Sequence, residues 1–95
     1  TMDAALYHAA SIVGLDKDYI FVYDNEPRNN QIVSNMRKTI DMGFKVCIWP
    51  DTIKEKDINE MVLAGSSSAA IQHIIDNNVY EGIMATMKLN QWSKV

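Results

Sequence analysis

Apolar positions in this chain fall into short blocks that change period between helix and strand. Over residues 2–13, Leu6, Ala9, Ala10 and Val13 recur at helical spacing, with Thr1 or Asp3 placed to cap and Gly14 to stop. After the polar turn Asp16-Lys17-Asp18, the run Ile20-Phe21-Val22-Tyr23 is continuously apolar, β-branched or aromatic. That composition predicts a strand buried on both faces. Pro27 suits the first turn of a following helix, where its missing N–H is no loss. In that helix Ile32, Val33, Met36 and Ile40 form one stripe, with Asn30, Asn35, Arg37 and Lys38 largely opposite, and Gly43 ends it. A second strand, Lys45-Val46-Cys47-Ile48-Trp49, is closed by Pro50. Strand, helix and strand in about thirty residues form a βαβ unit, which makes the two strands parallel and the crossover right-handed.

The remainder reads as helices. Asp57 to Ala64 is short and stopped by Gly65. Ser66-Ser67-Ser68 offers a cap to residues 69–77, with Ile71, Ile74 and Ile75 inward, and Asn77-Asn78 breaks it. Residues 80–93 form a last helix with Ile83, Met84, Met87 and Trp92 packing. Two parallel strands are too few for a stable open sheet, and their outer edges would expose unpaired backbone groups. The expectation is therefore an α/β chain, a short parallel sheet with flanking helices, whose edges are covered by helices or by another chain.

Composition narrows the function. Ninety-five residues, 47% hydrophobic and 22% charged, make one small globular domain. A net charge of −3 argues against sequence-independent binding to nucleic acid by charge alone, but not against binding through a held cation. The single cysteine, Cys47, cannot form an internal disulfide and lies in an apolar run, as a buried free thiol would. No apolar stretch reaches membrane-spanning length, and Thr1-Met2-Asp3 is not a charged secretory leader.

The candidate chemistry sits where the apolar runs stop. Asp24 and Glu26 follow the first strand, where open α/β sheets place ligands. Hard cations take oxygen ligands, and Mg²⁺ uses one or two carboxylates together with waters and phosphates. The pair suits Mg²⁺ or Mn²⁺, and equally suits capping of the next helix. Asp57 follows the second strand as Asp24 follows the first, and adjacent parallel strands bring such ends about 5 Å apart. Asp57 and Glu60 also have the spacing of a capping box, the more frequent role. Arg28 and Lys56 could hold phosphate oxygens or serve as ordinary surface charges. His8, His73, Met84, Met87 and the serines at 66–68 lack the partners that metal, cofactor or nucleophilic chemistry needs. Neither a Gly-rich phosphate loop nor a zinc spacing occurs.

The order of strand, Asp24-Asn25-Glu26, helix, strand and Lys56-Asp57-Ile58-Asn59-Glu60 resembles the later part of the Toprim domain, shared by DnaG-type DNA primases, topoisomerases and related nucleases. The wording Val22-Tyr23-Asp24-Asn25-Glu26-Pro27-Arg28-Asn29 and Ile48-Trp49-Pro50 is similar to primases of T4-like tailed phages. The resemblance implies a partial Toprim-like (Rossmann-like) fold in which Asp24, Glu26 and Asp57 hold Mg²⁺ or Mn²⁺ as catalytic ligands. Arg28 and Lys56, each beside an acidic position, are the candidate substrate-binding residues. The parent activity would be synthesis of RNA primers from ribonucleotides on single-stranded DNA, in the cytoplasm of the host if phage-encoded. Two departures accompany it. Asn59 stands where the primases tend to have a second Asp, and the family's Glu-Gly motif from an earlier strand is not in these residues. The chain is thus expected to be a fragment with little activity by itself and weak metal binding. The alternative is a non-enzymatic module that self-associates through its sheet edge as a homo-oligomer, or docks on a replication partner such as the replicative helicase.

Overall fold

The computed structural model describes residues 19–95, and the backbone of residues 11–13. Four strands form one sheet in chain order: β1 (Ser11–Val13), β2 (Ile20–Val22), β3 (Lys45–Cys47) and β4 (Val79–Tyr80). The central pair β2–β3 is parallel, in register Phe21 to Val46, as the βαβ pattern requires. The flanking pairs β1–β2 and β3–β4 are antiparallel, so the sheet is mixed rather than wholly parallel. Among the described residues four helices accompany it: α1 (Asn30–Asp41), α2 (Ile58–Leu63), α3 (Ser68–Asp76) and α4 (Gly82–Trp92).

Two expectations change at once. Residues 11–13 are a strand and not the end of a helix, and residues 1–10 lie outside the described residues, as does the turn at 16–18. The bare outer edges expected of β2 and β3 are filled by β1 and β4, which the sequence pattern passed over. The shortage of strands therefore gives no reason of its own for a second chain at those edges.

Side chains alternate across the central strands, and both faces are covered. Phe21, Tyr23, Val46 and Ile48 pack with Ile32, Met36 and Ile40 of α1 and with Ala85 and Leu89 of α4. Val22, Cys47 and Trp49 pack on the other face with Met61 of α2 and with Ile71 and Ile75 of α3. The phenol of Tyr23 is buried and lies 2.7 Å from Thr39 Oγ1, which donates to the Asn35 carbonyl at 2.9 Å. Burial raises the Tyr23 pKa despite that bond. Asn35, expected on the polar face of α1, is buried as part of this network, its Oδ1 accepting from Gln31 Nε2 at 3.0 Å.

Local signals explain the helix ends. Asn29 caps α1, its Oδ1 accepting from the amides of Gln31 and Ile32 at 3.0 and 3.1 Å. Pro27 precedes that cap and lies outside the first turn. At the far end Gly43 takes φ 87°, Gly43 N–H donates to Ile40 O, and Phe44 N–H donates to Thr39 O. This is a Schellman closure, and the left-handed position is why glycine stands there.

In α4 the inward residues are Ala85 and Leu89, with Trp92 half-buried, whereas Ile83, Met84 and Met87 are exposed. The expected inward stripe of that helix is therefore wrong except at Trp92. Of the three isoleucines in α3, Ile71 and Ile75 are buried and Ile74 is at the margin. Among the described residues no helix is long and apolar enough to cross a membrane.

Cys47 is fully buried and burial pushes its thiol up to about 12. The thiolate is the reactive form, so iodoacetamide at pH 8 is expected to label native protein at least about tenfold more slowly than urea-unfolded protein, read by mass spectrometry. Equal rates would place the thiol at the surface.

Candidate functional site

The site forms where β2 and β3 end. After Val22 the chain continues extended through Tyr23, and the Tyr23 carbonyl accepts from Trp49 Nε1 at 2.8 Å. That bond pins the residue before Asp24 to the residue before Pro50, so the two strand ends act as one unit. The chain then turns: Glu26 N–H donates to Asp24 O at 2.9 Å, and Asn29 N–H donates to Glu26 O at 3.0 Å. Because Asn29 supplies the cap of α1, neither Asp24 nor Glu26 performs the capping role that their sequence position also allowed.

Asp24 and Asp57 line one cleft of about 240 Å³, together with Val22, Tyr23, Ile58 and Asn59. This juxtaposition of the first and second acidic segments is the one their positions after parallel strands implied. Asp57 is also the N-cap of α2, its Oδ1 accepting from Glu60 N–H at 2.8 Å, while Glu60 Oε1 accepts from Lys56 N–H at 3.0 Å. The capping reading of Asp57 is therefore correct, and it coexists with a place in the cleft.

Asp24 is exposed as a residue, yet its carboxyl is held above the usual carboxylate range. Partial withdrawal from water is the first cause. The negative fields of Asp57 and then Glu26 add to it, and Lys56 opposes. Three of the predicted residues thus reach Asp24 electrostatically. Glu26, although within that field, faces a separate recess with Pro27, Arg28 and Asn29. Arg28 lines that recess beside Glu26 and not the Asp24–Asp57 cleft. Among the described residues no group of three or more His, Cys, Asp and Glu side chains converges as a ready metal set. The oxygen donors in the cleft are two carboxylates and the Asn59 carboxamide. That set fits Mg²⁺ or Mn²⁺, which completes its shell with waters and substrate phosphates, better than it fits a metal needing a full protein cage.

Sequence reasoning missed Asn25, the residue between the two acids. Its backbone N–H donates to Lys56 O at 2.6 Å, and its Nδ2 donates to Ile53 O at 3.0 Å and Glu55 O at 3.1 Å. Its Oδ1 accepts from Trp92 Nε1 at 3.1 Å. Nothing in the sequence marks these bonds, since most of the partners are main-chain atoms and Trp92 lies 67 residues away.

Over 78 residues, 80% of the chain, the sequence is 35% identical to the DNA primase of Enterobacteria phage T4. The chain spans 23% of the length of that relative. No family model matches the chain. The similarity relates the chain to a segment of a phage DNA primase.

Proposed function

We propose that this chain supplies the cation-holding part of a Toprim-type nucleotidyl-transfer centre. In a whole primase, that centre would carry Mg²⁺-dependent synthesis of RNA primers on single-stranded DNA. The observation that carries the reading is the single cleft shared by Asp24 and Asp57, contributed by loops after two adjacent parallel strands. Similarity to a DNA primase supports the direction of the assignment.

In this reading Asp24 and Asp57 would hold the cation, with Asn59 as a neutral third oxygen donor and Glu26 adding negative field from the neighbouring recess. When bound, Mg²⁺ or Mn²⁺ supplies charge neutralisation and alignment of phosphate oxygens. The residues of the chain prepare that state. Two like charges at one cleft disfavour each other until a cation arrives, and the cap bond on Asp57 fixes one of its oxygens, leaving the other for a ligand. Lys56 does not line the cleft but is close enough to Asp24 to oppose its raised pKa, so it would meet a phosphate from beside the cleft. Arg28, beside Glu26, is placed for a phosphate or strand one residue further along the rim. The ribonucleotide and template strand belong to the whole primase, of which 95 residues contribute one wall.

Isothermal calorimetry with Mn²⁺ or Mg²⁺ tests the reading. The chain is expected to bind one cation weakly, and Asp24→Ala is expected to weaken binding by roughly 10-fold or more. Equal binding by the two proteins would remove Asp24 from the site.

A further inference from the structure

Resting on the reading of Asp24 and Asp57 as the cation-holding pair, we propose that Asn25 is a positioning residue. Its carboxamide clamps the two acidic loops and the last helix together and so sets the spacing of the two carboxylates.

Every N–H of Asn25 is used, and its bonds run to two other segments, the loop 51–56 and the end of α4. Its backbone N–H holds Lys56 O at 2.6 Å, its Nδ2 protons go to Ile53 O and Glu55 O, and its Oδ1 receives the indole N–H of Trp92. Lys56 is the residue before Asp57 and Asn25 is the residue after Asp24. One main-chain bond therefore fixes the peptide entering Asp57 against the peptide leaving Asp24. The loop 51–56 has no regular structure beyond a turn at its start, and its course is held by these carbonyl bonds. From the other side, Lys94 N–H donates to Pro27 O at 2.8 Å, so the end of the chain straps the Asp24–Pro27 loop at a second point.

Only a carboxamide of this length serves. It must give two protons to carbonyls and accept one from an indole. Aspartate would set a charge against two carbonyl oxygens, serine has one proton, and glutamine is one methylene too long. Asn25 faces away from the cleft that Asp24 and Asp57 line, since it is absent from that lining and borders a recess with Pro27, Pro50, Ile53 and Trp92. It acts on the cation only through the residues it holds, as outer partners of metal ligands do. Trp92 shares the task while packing against the core from the end of α4.

The test is a Mn²⁺ titration of the ¹⁵N-labelled chain, following paramagnetic broadening at Tyr23 and Ile58, which flank the two acids. In the wild type both signals are expected to broaden with one midpoint. In Asn25→Ala the midpoint is expected to rise roughly 10-fold, and the two loops to broaden at different Mn²⁺ concentrations. Trp92→Phe keeps the ring and removes only the indole donor. It is expected to show the same separation with a smaller loss, and it remains informative if Asn25→Ala does not fold. A residue that merely stabilised the fold would lower the melting temperature without separating the two midpoints. Folded variants with the wild-type midpoint at both loops would overturn the role of Asn25 and leave the cleft reading intact. No broadening in the wild type would overturn the cleft reading itself, and the clamp with it.

Discussion

Replacing Trp49 with alanine is expected to leave most of the chain unfolded at 37 °C. Trp49 is the largest fully enclosed side chain, packed against Val22, Cys47, Met61, Ile71 and Ile75 on one face of the sheet. Truncating a buried tryptophan costs about 3–5 kcal/mol. The lost indole N–H also orphans the Tyr23 carbonyl, which adds about 1–3 kcal/mol. A chain of this size has a total stability toward the low end of roughly 5–15 kcal/mol, so the sum removes most of it. Urea denaturation followed by far-ultraviolet circular dichroism measures the effect. Trp49→Phe separates its two parts: it keeps a ring in the core and gives up the hydrogen bond, with an expected loss nearer ~2 kcal/mol. An alanine variant within ~1 kcal/mol of the wild type would mean that the face formed with α2 and α3 contributes little. The consequence reaches the site, because Tyr23 is the residue before Asp24 and Trp49 is the bolt between the two strand ends.

The parts of this arrangement that the sequence exposes are those with a long enough period. Ile20–Tyr23 and Val46–Trp49 are unbroken apolar runs, and both prove to be buried on two faces, as such runs in α/β sheets are. Edge strands of three and two residues carry no such signal. Val79-Tyr80 falls between the break at Asn77-Asn78 and the helical reading that begins at residue 80, while Ser11–Val13 continues a helical spacing begun at Leu6. The last helix misleads for another reason. Its apolar residues occupy nearly every face, so periodicity does not choose between Ile83-Met84-Met87 and Ala85-Leu89-Trp92. Packing chooses the second, because α4 lies against α1 as well as β3 and β4, and a small residue at position 85 admits that close approach. Asp24 and Asp57 were legible because they follow the strands. Asn25 was not, because a carboxamide bonded to carbonyl oxygens looks in sequence like any polar loop residue.

Asp24→Asn is expected to strengthen the fold and to remove its response to divalent cations. Withdrawal from water and the fields of Asp57 and Glu26 hold the Asp24 carboxyl above its unfolded value, so the native state binds this proton more tightly than the unfolded chain does. As pH rises from the ordinary carboxylate range through the raised native value, the unfolded chain releases the proton first, and stability falls across that window. Above it the penalty is complete, and asparagine, which carries no charge, does not incur it. An exposed like-charge contact is worth about 0.5 kcal/mol, or about 2–4 °C of melting temperature in a domain of this size. The variant should therefore melt higher than the wild type at pH 7 without metal, with the difference closing below about pH 3. Millimolar Mn²⁺ reverses the order, because a cation that binds only the native state raises the wild-type melting temperature and finds no paired carboxylates in the variant. On the proposed reading, the same substitution in a whole primase would reduce primer synthesis by at least about 10–100-fold. A variant that gains nothing at pH 7 would show that the two acids are not crowded. One that gains stability and still responds to Mn²⁺ as the wild type does would shift the cation to Asp57 and Asn59 alone. Stability sacrificed at Asp24 and recovered on cation binding is what a site shaped for its ligand, rather than for the empty fold, should display.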